Sequence, residues 1–311
     1  MSTAVQEPAH HVRRGYVALV TVQLFFGLFP LFGKTAFQHF SPRAVGAWRI
    51  AVGAGVLAVV ARLVHGRAFL PRREDWPRFA LCALLGIVLN MVLFLEGLER
   101  STAVNTALLL PLIPVFTAVV ALVARAERFQ LPRAIGMAVA FAGASLVLFQ
   151  RGPDLSRDYT VGNLLVVANE VCYAIYLVIA RPLLRRYPPL VVIAWVFVLS
   201  LWAVPLLAVG DTKLAPESAT AGSWLSIAYI VLFATILTYL LNAFALAHVS
   251  ASTAAAFIFL QPMITVGGGL AWLGESLPEH FVVATVLTFG GVWIVARKPG
   301  ERPLARPAAA E

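Results

Sequence analysis

Apolar stretches of about twenty residues, separated by brief polar punctuation, recur along the whole of this chain. A helix needs about 20 mostly apolar residues to cross the hydrocarbon core of a bilayer. By that measure the pattern predicts spanning helices at 15–37, 43–65, 76–98, 101–124 and 131–149. A second set follows at 160–183, 189–209, 223–247, 251–274 and 279–296. Turn signals mark the joints: Ser41-Pro42, Pro71-Arg72-Arg73, Leu131-Pro132, Arg151-Gly152-Pro153, Pro188-Pro189 and Leu277-Pro278. The longest connections, near 66–75 and 210–222, are too short to be domains of their own. The first stretch follows Arg13 and Arg14 but is too long for a signal-peptide core and lacks a small-x-small cleavage site, so it reads as a helix.

The pattern is also duplicated. A shift of 148 residues places Pro114 on Pro262, Thr117 on Thr265, Glu127 on Glu275, Phe141 on Phe289 and Gly143 on Gly291. Near the start, a shift of 147 places Lys34 on Arg181, Pro42 on Pro189 and Trp48 on Trp195. One small indel within a duplicated five-helix unit accounts for both offsets. An odd number of spans per unit puts the two copies in opposite orientations, the recurrent plan of secondary transporters with sites near the midplane.

Composition agrees with lipid burial. Apolar residues make up 60% of the chain and charged residues 13%, against about 25% charged in soluble domains. The net charge of +9 comes from basic residues in short loops, which argues against a nucleic-acid-binding face. With a cytoplasmic N-terminus, the inside segments hold Arg13, Arg14, Arg62, Arg67, Arg72, Arg73, Arg78, Arg125, Arg128 and Arg133. They also hold Arg181, Arg185, Arg186, Arg297, Lys298, Arg302 and Arg306, while the outside loops carry Arg43, Arg100, Arg151, Arg157 and Lys213. This bias predicts a multi-pass protein of a bacterial-type inner membrane with both termini in the cytoplasm. The tails are then 1–14 and 297–311, flanking five-helix repeats at 15–149 and 160–296. Cys82 and Cys172 lie in apolar runs and form no disulfide framework.

Gly27, Lys34, Pro42 and Arg49 resemble the signature that opens EamA-type members of the drug/metabolite transporter superfamily. The resemblance continues in LIPVFTAVVALVARAE (112–127) and LQPMITVGGGLAWLGE (260–275), and covers about 15–296. Two departures stand out: Phe26 replaces the usual Trp before the first-helix glycine, and Val196 stands where Arg49 maps in the second half. The resemblance implies an all-α integral membrane fold, ten helices as two inverted five-helix repeats around a central cavity, with no nucleotide-binding domain.

Polar groups inside the spans are costly and so need a reason. Glu170 is the deepest carboxylate, roughly 15 Å into its helix at about 1.5 Å per residue. Asn163 and Tyr173 share its face, and Asn169 and Tyr176 widen the stripe. The stripe is either a cavity wall whose Glu takes a proton or a cationic substrate group, or interhelical glue. Arg49 is expected to pair with Glu96 at similar depth, as a structural pair or as part of a substrate site. Lys34 either snorkels to the interface or serves a gate. Pro114 and Pro262 interrupt their helices, and Pro262 frees the Ile258 carbonyl, either for a cavity or simply for a packing kink. Gln261, Asn90, Tyr239 and Asn242 complete the candidate substrate contacts. Glu127 and Glu275 are read as helix-terminal or gate residues, and Gly267, Gly268, Gly269, Gly290 and Gly291 as sites of close helix packing.

The six histidines show no metal-ligand spacing, and the chain has no G-x-x-x-x-G-K-[ST] phosphate loop. No metal, cofactor or direct use of ATP is expected, and an intramembrane enzyme is disfavoured. The resulting expectation is a secondary transporter exporting a small polar metabolite, an amino acid or analogue first, by alternating access. Its partners are that solute, the lipid bilayer and protons as a candidate coupling ion, with a flippase for lipid-linked substrates as the rival.

Overall fold

The computed structural model describes residues 7–101, 109–148, 157–273 and 280–297, and the regular structure among them is entirely helical. α1 is Glu7–Ala36 and α2 is Pro42–His65. α3 covers 76–99 as Trp76–Ala83, a π-helical turn at Leu84–Leu89, and Asn90–Glu99. α4 is Leu112–Val123, α5 is Leu131–Leu148 and α6 is Arg157–Arg186. α7 covers 189–208 as Pro189–Val198 and Ala203–Ala208, joined by looser turns. α8 is Ala221–Leu246, with a second π-helical turn at Leu232–Leu237. α9 covers 251–273 with a 3-10 turn at Phe257–Leu260, and α10 is Phe281–Arg297. The stretches in α1, α2, α3, α6, α8 and α9 are long and apolar enough to cross a membrane, while α4, α5, α7 and α10 are shorter apolar helices.

Local chemistry explains the helix starts. Ser41 accepts a hydrogen bond from the Ala44 N–H at 2.9 Å, with Pro42 in the first turn. Thr220 and Ser250 cap α8 and α9 in the same way, accepting from Ser223 and Thr253. Each cap satisfies one of the backbone donors a helix start leaves open. α2 ends at Gly66, whose φ of 51° suits a residue without Cβ. Large apolar side chains such as Val17, Leu63, Leu225, Val282 and Phe289 face outward, the surface lipid must cover.

The packing keeps its pattern when the halves are exchanged. α1 packs on α8 and α9, and its counterpart α6 packs on α3 and α4. α2 meets α7, α4 meets α9, and α5 meets α10. Details repeat as well. The Trp48 indole donates to the Leu214 carbonyl at 2.8 Å, and the Trp195 indole to the Phe69 carbonyl at 2.6 Å. Trp48 meets Trp224 edge-on, as Trp195 meets Trp76. The two π-helical turns are 148 residues apart at both ends, the offset already seen in the sequence. The end of α1 lies beside the start of α8, whereas the end of α6 lies beside the start of α3, at opposite ends of the α2–α7 pair.

The glycines divide by position. Gly291 in α10 lies against the backbone of Ala140 and Gly136 in α5, and Gly143 lies against Thr288, so a side chain at either would force the helices apart. Gly267 and Gly290 face open space, which corrects the expectation that each serves close packing. Gly269 has no described side-chain environment, and Glu275 lies outside the described residues. Replacing Gly291 by Leu is therefore expected to lower stability by about 1–3 kcal/mol or more through overpacking. Gly290→Leu is its matched control, and thermal unfolding in detergent should leave that variant near wild type.

Candidate functional site

Asn90, Asn169, Glu170, Tyr173, Tyr176, Tyr239 and Asn242 come together where α3, α6 and α8 meet, and the meeting depends on the π-helical turns. Gly86 lies in the first such turn, so close to the Tyr176 ring that a Cβ would stand 2.6 Å from its Cγ. The Tyr239 hydroxyl reaches the Gly86 carbonyl at 3.4 Å. Asn169 donates to the Asn90 carbonyl at 2.5 Å, and Asn242 donates to the Tyr173 hydroxyl at 3.0 Å. Tyr173 is within electrostatic reach of Glu170 and Tyr239, and Tyr239 within reach of Arg49. Glu170 has no exposed surface, and neither carboxyl oxygen has a hydrogen-bond partner among the described residues. A buried carboxyl left without partners is an expensive arrangement and needs a reason.

Arg49 is 7% exposed and departs from expectation. Its Nε donates to Thr235 Oγ1 at 2.8 Å and its Nη2 to the Ala234 carbonyl at 3.4 Å, with the Phe29 ring 5.6 Å from the guanidinium carbon. Glu96 instead pairs with Arg43 at 2.6 Å and with Arg100, near the end of α3. The expected Arg49–Glu96 pair is therefore not formed. Arg43 and Arg100 hold the carboxylate at the helix end, while Arg49 turns inward to α8. No carboxylate of the described residues pairs with Arg49. Its acceptor carbonyl, Ala234, stands 148 residues after Gly86, so each π-helical turn offers the same carbonyl to a long side chain from elsewhere. A shallow cavity of about 250 Å³ lined by Ser41, Pro42, Arg43, Leu95 and Glu96 lies at the helix ends, away from Glu170.

Other expectations move too. Asn163 accepts from Ser101 at 2.5 Å, about 10 Å along α6 from Glu170, so it ties down a helix end and leaves the stripe. The Ile258 carbonyl that Pro262 frees is taken by the Gln261 N–H in the 3-10 turn, and the Leu110 carbonyl is taken by Ile113 N–H in the equivalent place. Pro114 and Pro262 are buried, in the first turns of α4 and of the last segment of α9. Lys34 lies in α1, and its side chain is outside the described residues. Glu127 pairs with buried Arg133 at 2.7 Å and accepts from Ser252 N–H at 3.1 Å, which makes it a cap for the start of α9.

Sequence reasoning missed Gln23. It is 2% exposed in α1 and accepts a hydrogen bond from Gln261 at 2.8 Å. A shift of 147 places it on Glu170, and a shift of 148 places Gln261 on Ile113. Thr265 and Thr117 each donate to the carbonyl four residues earlier, of Gln261 and Ile113, so the two surroundings are built alike. One half thus holds a satisfied amide pair where the other holds a carboxyl and an isoleucine. The 147-residue offset was available to find Gln23, but a lone Gln in an apolar helix carried no signal of its own.

An all-helical fold with membrane-length apolar helices, and buried polar side chains gathered where the halves meet, defines a multi-pass membrane protein of the transporter type. The model of the EamA-like transporter family matches residues 13–149 and 160–297, and the chain belongs to that family. It is 27% identical over 282 residues to the uncharacterized transporter YyaM of Bacillus subtilis (strain 168), covering 89% of this chain and 92% of that one. It is 28% identical over 290 residues to a probable terminal-alkyne amino-acid exporter of Streptantibioticus cattleyicolor, covering 91% and 93%. A solved crystal structure superposes with a TM-score of 0.76 at 15% identity, over 95% of this chain and all of that one, which is a likeness of fold.

The Arg49 and Glu96 contacts predict unequal costs. Thr235→Val strips a buried guanidinium of a hydrogen bond and should destabilise by about 1–3 kcal/mol. Glu96→Gln removes half-exposed ion pairs and should cost less than about 1 kcal/mol. Thermal unfolding of both variants in detergent checks the order, and the reverse order would restore the Arg49–Glu96 pair.

Proposed function

We propose that this chain is a secondary transporter that exports a small polar metabolite, an amino acid or analogue, by alternating access between two five-helix halves of opposite orientation. The observation that carries the reading is Glu170. Its carboxyl is fully buried and has no hydrogen-bond partner among the described residues, at the position where the other half keeps a satisfied Gln23. A group maintained at that cost serves something absent from the resting chain, either a proton or a substrate ammonium. Arg49, held among the described residues by a hydroxyl, a carbonyl and a ring, has charge to spare for a carboxylate. Tyr173 interacts electrostatically with Glu170 and Tyr239, and Tyr239 with Arg49; with Asn90, Asn169, Asn242 and Gln261 the two tyrosines form the neutral part of the site.

The exchange of packing between halves supports ten crossings related by an axis in the membrane plane. The distribution of arginines supports an inner-membrane location with both termini in the cytoplasm. The name of the Streptantibioticus cattleyicolor relative supports export of an amino acid or analogue.

Efflux from loaded vesicles tests the reading, with wild type and Glu170→Gln compared across amino acids and analogues at equal expression. Wild type should stimulate efflux of at least one such solute, and the variant should fall to background. Efflux unchanged in the variant would remove Glu170 from the mechanism. No movement of any polar solute would overturn the exporter reading, and lipid-linked substrates would then be assayed.

A further inference from the structure

The two halves are tied together at both ends of the bundle, and the ties occupy repeat-equivalent positions. At the end where α2 finishes, Arg186 Nη1 meets Asp75 Oδ1 at 2.9 Å and the Tyr187 hydroxyl donates to Asp75 Oδ2 at 2.7 Å. Asp75 is buried, and Arg186 also reaches Glu74 at 3.1 Å. At the end where α2 begins, His39 Nδ1 meets Ser223 Oγ at 2.8 Å. Shifts of 147 and 148 carry His39 onto Arg186, Phe40 onto Tyr187, and Asp75 onto Ser223. The same crossing is thus built twice, once as an ion pair with a tyrosine donor and once as a hydrogen bond to a serine hydroxyl beside a phenylalanine.

We propose that these crossings are the two latches of alternating access and that their inequality sets the resting state: the Asp75 end stays shut while the His39 end opens. The proposal rests on the transporter reading above. Opening the Asp75 end separates a buried carboxylate from its guanidinium and its tyrosine. Burial raises the Tyr187 phenol above its ordinary value, so the phenol keeps its proton and remains the donor. Opening the His39 end gives up the His39–Ser223 bond and the 3.3 Å bond from Ser223 Oγ to the Thr35 carbonyl, neither of which joins a carboxylate to a guanidinium, and water replaces such bonds at less cost. Ser41 Oγ also donates to Asp211 across that end, but no cation among the described residues pairs with it, and its repeat counterpart Pro188 has no side-chain donor. Both ends keep one Trp-to-carbonyl bond, so the indoles do not distinguish them.

Two substitutions exchange the chemistry. Asp75→Ser makes the first latch neutral, and Ser223→Asp gives His39 a carboxylate. Spin-label pairs at exposed positions report each end in the reconstituted full-length chain lacking Cys82 and Cys172: 73 with 185 for the Asp75 end, and 38 with 221 for the His39 end. The parent should show short 73–185 distances and a longer population at 38–221. Asp75→Ser should raise the long 73–185 population by about threefold or more. Ser223→Asp should deplete the long 38–221 population by a similar factor. A parent held open at the Asp75 end, or variants that retain the helical circular dichroism of the parent but leave both distributions unchanged, would overturn the proposal. Efflux measured on the same preparations separates the two readings. Distances that respond without any solute movement would count against the transporter and not against the latches.

Discussion

Inside a bilayer no water is at hand to repair a broken helix hydrogen bond, so every defect in a spanning helix must be answered by another part of the chain. The centre of this molecule is organised by that constraint. Two π-helical turns, at Leu84–Leu89 and Leu232–Leu237, disturb the regular ladder, and π-turns of this kind are often found at functional sites. Each offers a carbonyl to a side chain from a distant helix, Gly86 to Tyr239 and Ala234 to Arg49. Those answers draw α2, α3 and α8 together and bring the polar side chains of α6 with them. Glu170 is left unanswered among the described residues, an arrangement that its depth in the helix does not by itself convey.

Duplication explains where the answers come from, and divergence explains where one is missing. An ancestral five-helix unit supplies two equivalent positions for every feature, so a polar group in one half has a ready comparison in the other. Gln23 with Gln261 and Glu170 with Ile113 are the same place built twice. Arg49 with Val196 and Asp75 with Ser223 are further pairs in which one copy carries charge and the other does not. A symmetric molecule would have no preferred side. In this chain the asymmetry is concentrated in a few side chains on a backbone plan that stays nearly symmetric.

Much of the fold was legible in the sequence because membrane burial writes itself in runs of apolar residues and repeats write themselves in offsets. The ten apolar stretches reappear as helical segments wherever residues are described, with some ends shifted: α1 begins at Glu7, eight residues before 15, and α7 is broken near 199–202. Glu170, Asn169, Tyr173, Asn90, Tyr239 and Asn242 were singled out as polar groups in apolar helices, and they do lie together. Asn163 was placed with them because it shares a helical face with Glu170. A face says nothing about depth, and Asn163 sits at the end of α6 beside Ser101.

The sequence by itself determined the order of the apolar stretches, the repeated unit, and most of the polar side chains that interrupt those stretches, Gln23 excepted, because each of these depends only on composition and spacing along one strand of chain. Only the tertiary structure decided the partners. Arg49 turned to Thr235 and not to Glu96, Glu127 capped α9, and Gln261 found Gln23. A hydrogen bond forms where two atoms stand within about 3 Å, and residues more than a hundred positions apart are brought that close only by helix packing. The π-helical turns were invisible for the same reason: apart from Gly86 and Thr235 they are built of ordinary apolar residues, and contacts from neighbouring helices meet them in ways that no local pattern records.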